Sequence, residues 1–215
     1  MKTLLMEIYD RLYRAFGPQH WWPGDTAFEM MVGAILTQNT SWLNVEKAMG
    51  VLKRKGVLTP EGLRQLKKPA LASMIRSSGY YRIKADRLKA FIEFLWEDYG
   101  GSIKRMGAKP ADELREKLLQ VKGVGPETAD SILLYGVRKP VFVIDAYTRR
   151  IIDRLGLAPG GGKYADYQKL FIDNLPADVR LYNEYHALFV AQGKNTCRKK
   201  PLCADCCLKP LCRFK

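Results

Sequence analysis

Apolar residues recur at helical spacing through nearly every segment of this 215-residue chain, and that pattern alone excludes most fold classes. Leu4, Leu5, Ile8, Leu12, Tyr13 and Phe16 form one face, ended by Gly17-Pro18. Thr26-Ala-Phe-Glu29 has the form of a capping box and opens a helix through Met30, Met31, Ile35 and Leu36. Ser41 is the candidate cap of a third helix carrying Val45, Ala48, Met49 and Leu52, and Thr59-Pro60 reads as the N-cap and first residue of a fourth. A fifth begins near Pro69 and stops at Gly79. Ile83 to Tyr99 is long and amphipathic, with Leu88, Phe91, Ile92, Leu95 and Trp96 inward. Asp112 to Val121 and Glu127 to Tyr135 make a pair around a five-residue turn, and Ala146–Leu155, Tyr164–Asn174 and Val179–Gln192 complete the series. Only Val141–Ile144 is strand-like, too short and isolated for a sheet, and it is expected to be a buried extended connector. The class is all-α.

Hydrophobic residues make up 47% of the chain, enough for a proper core. Thirty-six Lys and Arg against 22 Asp and Glu leave a net charge of +14, which favours a polyanionic partner, nucleic acid first and an anionic membrane surface second. No apolar stretch approaches a membrane span, and the early run Leu4-Leu5-Met6 is broken by Glu7 and Asp10, unlike a secretory signal. The expectation is an intracellular, cytoplasmic protein with no membrane partner.

Four cysteines close the chain within sixteen residues, Cys197, Cys203, Cys206 and Cys212. Four thiolates can surround one metal centre, and the uneven spacing suits a [4Fe-4S] cluster. Structural zinc prefers two short-spaced pairs, of which only Cys203 and Cys206 form one, and disulfides would need an oxidising compartment. The cluster ranks ahead of zinc and zinc ahead of disulfides. Cys207 is the fifth cysteine, beside a proposed ligand and off the spacing.

Lys122-Gly123-Val124-Gly125-Pro126 joins two helices. Two glycines one residue apart permit a sharp turn and close backbone approach to a ligand, with N–H groups and a helix dipole directed outward at phosphate. An ordinary interhelical turn is the competing reading. Asp145 follows twenty residues after Gly125 and just before Ala146. Taken alone it is a helix N-cap; the functional reading is a carboxylate held at the mouth of a cleft.

The string Val121-Lys-Gly-Val-Gly-Pro-Glu-Thr-Ala-Asp-Ser-Ile-Leu133, then Val143-Ile-Asp-Ala-Tyr-Thr-Arg-Arg-Ile151, then the four cysteines, resembles the endonuclease III superfamily of helix–hairpin–helix DNA glycosylases. Phe28 to Thr40 and Ser78 to Lys84 extend the resemblance over nearly the whole chain. It implies two helical lobes: residues 23–137 as a six-helix barrel with the hairpin motif at about 112–136, and residues 1–22 with 138–215 as a lobe carrying the cluster loop at 197–212. It implies a monomer acting on double-stranded DNA that contains a damaged base. Lys122, Gly123, Val124, Gly125 and Thr128 would hold the DNA backbone, helped by Arg198, Lys199 and Lys200 of the cluster loop. Asp145 would be catalytic, stabilising a cationic sugar and orienting water at C1′.

Departures from the family pattern narrow the reading. The lysine that forms a Schiff base in bifunctional members is replaced here by Glu127, and a carboxylate cannot form an imine. The glutamate of the adenine-mismatch enzymes falls near Gly33, with Glu29 one turn earlier. The best match is to the methylpurine (3-methyladenine) glycosylases, through Trp21-Trp-Pro23, Leu36-Thr-Gln-Asn-Thr40 with Trp42 beyond it, and the hairpin. Trp42 and Pro23 would sandwich a flipped base, with Trp21 or Trp22 walling the pocket, Lys194 beside it, and Gln38 or Asn39 plugging the duplex. The implied activity is excision of alkylated purines, 3-methyladenine or 7-methylguanine, without strand nicking. Removal of another lesion and plain DNA binding are the alternatives.

Overall fold

The computed structural model describes residues 1–21, 24–158 and 161–214. Twelve α-helices follow in chain order: α1 Lys2–Phe16, α2 Ala27–Leu36, α3 Trp42–Arg54, α4 Pro60–Gln65, α5 Lys68–Met74, α6 Tyr81–Tyr99, α7 Ile103–Gly107, α8 Ala111–Gln120, α9 Pro126–Ser131, α10 Ala146–Leu155, α11 Tyr164–Ile172 and α12 Val179–Asn195. No strand occurs among the described residues. The chain divides into two compact units, Met1–Trp21 with Pro140–Lys215, and Trp22–Lys139.

In the first unit α12 packs against both α1 and α10. Leu5, Ile8 and Leu12 are fully buried on α1, and the Tyr185 hydroxyl of α12 donates to the Leu5 carbonyl at 2.7 Å. The core is aromatic: Phe142 stacks on Phe171 at 3.9 Å between ring centres, with Tyr182 and Tyr185 edge-on to Phe142. Phe142 belongs to the strand-like run, which is extended and buried without a strand partner. Side chains supply the missing ladder: the Gln168 amide donates to the Phe142 carbonyl at 2.8 Å, and the Ile144 N–H donates to the Tyr164 hydroxyl at 3.2 Å.

In the second unit α2 lies at the centre, packed by α3, α6 and α9. Eight of its ten residues are buried, as expected of a helix apolar on all sides. Thr26 caps it by accepting from the Glu29 N–H at 3.2 Å. The reciprocal half of the capping box is shifted by one residue, because the Glu29 carboxylate accepts from the Asp25 N–H (2.8 Å) while pairing with Lys53 (2.7 Å). The fifth helix ends earlier than its sequence suggests. It stops at Met74, and Arg76–Ser78 form one 3₁₀ turn closed by Gly79 at φ 66°. The reason is Lys84. Its buried ammonium donates to the Leu36 carbonyl (2.8 Å) and the Ser78 carbonyl (2.6 Å), tying the end of α2 to that turn. Burial, reinforced by the Arg87 charge, pulls the Lys84 pKa down to about 8.

The helix after the glycine turn also differs from expectation. It is regular only over Pro126–Ser131, then widens to a π turn over Ile132–Gly136, all five residues of which are buried. Gly136 sits there because a Cβ would stand 2.8 Å from Met31 Cε. The short α7 carries one buried residue, Met106, too few to show a period in the sequence.

Candidate functional site

The glycine turn is held from below by one side chain. The Gln38 amide donates to the Gly123 carbonyl and to the Thr128 hydroxyl, both at 2.9 Å, and its oxygen accepts from Arg87. Val124 is buried and pins the turn, while Lys122, Gly123 and Gly125 are exposed. The two glycines differ in kind. Gly123 has φ 85°, and a Cβ there would lie 2.3 Å from Arg87 Cγ, so the free protein itself requires glycine. Gly125 has φ −93° and a Cβ there would meet nothing within 4 Å. Nothing among the described residues therefore requires glycine at position 125.

Of the two plug candidates, Gln38 is committed to the turn. Asn39 is exposed, with a left-handed backbone at φ 53°. Asparagine is one of the few non-glycine residues that enter that region readily, because its short polar side chain bonds locally.

Trp42, the first residue of α3, is half-buried. Its six-membered ring lies against Gly33 of α2, where a Cβ would stand 3.2 Å from the ring, and its Nε1–H donates to Glu46 at 2.8 Å. The indole borders an open cleft of about 350 Å³, together with Asp25, Glu46, Met49 and Lys53. Glu29 carries structural duties, its carboxylate shared between the Asp25 N–H and Lys53. Glu127 is exposed at the second position of α9.

In the other unit Asp145 is the N-cap of α10, its Oδ1 accepting from the Thr148 N–H at 2.7 Å. Oδ2 lies 3.7 Å from Nε2 of His186, which is buried. Burial lowers the His186 pKa, opposed by the Asp145 carboxylate. His186 is packed within α12, and forty-one positions separate it from Asp145, so no local spacing announces the contact. Lys194 stands 5.7 Å from the centre of the Trp21 ring, which brings two of the pocket candidates together. Trp22 and Pro23 lie outside the described residues.

No disulfide joins any of the five cysteines. Arg154 of α10 organises their loop: its guanidinium donates to Cys197 Sγ (3.1 Å) and to the Arg198 (2.7 Å) and Lys199 (3.1 Å) carbonyls. The Arg154 carbonyl accepts from Cys212 Sγ at 3.4 Å and from the Arg213 N–H at 3.0 Å. Arg150 donates to the Cys197 carbonyl (2.8 Å), and Gln192 donates to Cys206 Sγ (3.2 Å). Among the described residues no three His, Cys, Asp or Glu side chains converge as ligands of a single ion. A four-iron cube makes a different demand, since each thiolate binds its own iron, and N–H donors to the sulfurs tune such a centre. The donor set fits that group. Cys207 stands apart, its thiol pKa raised by burial and by Cys206, with Gln192 Oε1 at 3.9 Å.

The described residues thus combine a helical frame, a glycine hairpin, an aspartate capping α10 and a cysteine loop anchored to that helix. The family model for the HhH-GPD superfamily base excision DNA repair proteins matches residues 32–176, and the chain belongs to that superfamily. A Methanocaldococcus jannaschii protein named "Putative DNA repair glycosylase MJ1434" is 44% identical over 99% of this chain and 97% of its own. Endonuclease III of Thermotoga maritima is 33% identical over 87% of this chain and 83% of its own. Among solved structures, Helicobacter pylori 3-methyladenine DNA glycosylase (MagIII) bound to 1,N6-ethenoadenine superposes with a TM-score of 0.79, at 28% identity, over 88% of this chain and 97% of that one. The protein is a DNA glycosylase. No helix among the described residues is long and apolar enough to cross a membrane.

Proposed function

We propose that this chain is a monofunctional glycosylase that removes alkylated purines, such as 3-methyladenine and 7-methylguanine, from duplex DNA. The observation that carries this reading is the pairing of Glu127 on the hairpin helix with the open cleft beside Trp42. The first removes the imine-forming amine; the second offers a flat π surface to an extruded ring. The likeness to the 3-methyladenine enzyme supports the same substrate class.

The chemistry asks little of the protein. An alkylated purine is already cationic, so the C1′–N bond breaks with its electron pair returning to the ring, and the base leaves neutral. The sugar becomes an oxocarbenium-like cation, which the Asp145 carboxylate stabilises, and water attacks C1′ as its proton passes to that carboxylate or to solvent. Glycosylases reach such a base by taking it out of the stack. Asn39 fills the gap, being the plug candidate that needs to break no bond to the hairpin. Lys122, Gly123, Val124, Gly125 and Thr128 hold the strand through phosphate, and the exposed Lys199 and Lys200 add charge.

Cys197, Cys203, Cys206 and Cys212 hold a [4Fe-4S] cluster, which supplies a cross-link for a loop that has little core of its own. Anaerobically purified protein is expected to contain about four iron atoms and four inorganic sulfides per chain, and replacing Cys206 with Ser to lower both. A zinc content of one per chain would replace the cluster in this account.

The deciding experiment is mass-spectrometric analysis of bases released from methylated DNA, run beside borohydride trapping. Methylpurines should appear with no covalent adduct and no nicking. The likeness to endonuclease III favours one other reading, release of an oxidised pyrimidine. Activity confined to thymine glycol would establish it.

A further inference from the structure

Trp42 and Glu46 stand one helical turn apart, and the 2.8 Å bond between them does more than fix the ring. Asp25 and Glu29 both pair with Lys53, at 2.6 and 2.7 Å, whereas Glu46 has no cation partner among the described residues. Asp25 and Glu46 thus line the cleft with Lys53 and the indole, in a chain whose net charge is +14. A wall of this sign disfavours phosphate and favours a cationic ring.

We propose that Glu46 is a specificity-determining residue that selects flat, positively charged purines over neutral bases by placing a carboxylate without a counter-charge at the edge of the Trp42 ring. The proposal rests on the reading that this cleft receives the extruded base. Two effects act together. The carboxylate attracts the cation directly, and its bond to the indole N–H pushes electron density onto the ring face that the cation stacks upon. An N3- or N7-alkylated purine carries the charge needed, and the ordinary bases do not.

The attraction belongs to the bound substrate more than to the transition state. As the C1′–N bond breaks, its electron pair neutralises the ring and the hold of Glu46 weakens. Glu46 therefore lowers the half-saturating concentration and, to the extent that its hold is lost as the bond breaks, also slows the maximal rate; it does not retain the released base.

Glu46→Gln separates charge from geometry, because the amide oxygen still accepts from Trp42. Single-turnover excision is measured against enzyme concentration on two matched duplexes, one bearing cationic 7-methylguanine and one bearing neutral 1,N6-ethenoadenine. The ratio of half-saturating concentrations, cationic over neutral, is expected to rise about tenfold, the scale of one charge in a part-exposed site. Equal changes on both duplexes, or no change, would overturn the proposal. Calorimetric titration with 7-methylguanosine at about pH 6, where it is a cation, against guanosine gives a readout independent of excision. Preference for the cation should be present in the wild type and about tenfold weaker in the variant; no preference in the wild type counts against the proposal. Should the wild type bind the cationic nucleoside through Glu46 yet release no methylpurine, the proposed reaction fails and this assignment stands. Release of methylpurines without dependence on Glu46 is the converse.

Discussion

Asp145→Asn is expected to slow base release by about 10²–10³-fold while leaving duplex affinity and folding intact. The variant tests chemistry alone because asparagine caps a helix about as well as aspartate. Its carbonyl can keep the 2.7 Å bond from the Thr148 N–H, so α10 begins where it does now. What disappears is the carboxylate charge, 3.7 Å from His186 Nε2. Single-turnover release from methylated duplex gives the rate, a binding isotherm on undamaged duplex gives the affinity, and a thermal unfolding curve gives the fold. Release at the native rate would move catalysis to another group. Glu29 would be the next to test, although its carboxylate is occupied by the Asp25 N–H and Lys53.

Gly123→Ala is expected to weaken binding to damaged and undamaged duplex alike, by at least about tenfold. The left-handed backbone costs an alanine about 1–2 kcal/mol. The larger effect is steric, since the new methyl would overlap Arg87 Cγ, 2.3 Å away. Displacing Arg87 frees Gln38, whose amide holds both Gly123 and Thr128, so the whole turn loosens. Gly125→Ala makes the informative comparison. Its methyl has open space and an ordinary backbone, so the unfolding midpoint should not move. A loss of DNA affinity at Gly125 without a loss of stability would identify close approach of a phosphate as the reason for that glycine. Retained affinity in both variants would remove the hairpin from the binding surface.

The helices were legible wherever a run was long enough to repeat its apolar face. α10 begins and ends at the residues its sequence indicates, and the capping signals of Thr26 and Thr59 are realised, the latter accepting from the Gly62 N–H at 2.9 Å. Failures share a cause. The break after Met74 turns on Lys84, whose ammonium also reaches the Leu36 carbonyl 48 residues away, and Gly136 in the widened turn stands against Met31. Neither Leu36 nor Met31 lies in a local window with the segment it meets. The candidate site divides in the same way. Hairpin, aspartate and cysteines form local strings, and the Trp42–Glu46 bond was available from their i, i+4 spacing. The Gln38 latch spans 85 residues to Gly123, and only the folded chain brings it into view.

The ten residues of α10 carry Asp145 at one end and the Arg150 and Arg154 anchors of the cysteine loop along the body, a rod of about 15 Å. Tyr147 on its first turn packs so tightly on Gly193 that a Cβ there would fall 2.4 Å from the ring. A stiff element seated this closely cannot tilt at one end alone. Were the proposed cluster lost, a disturbance of the Arg150 and Arg154 anchors would be carried along α10 to the Asp145 end.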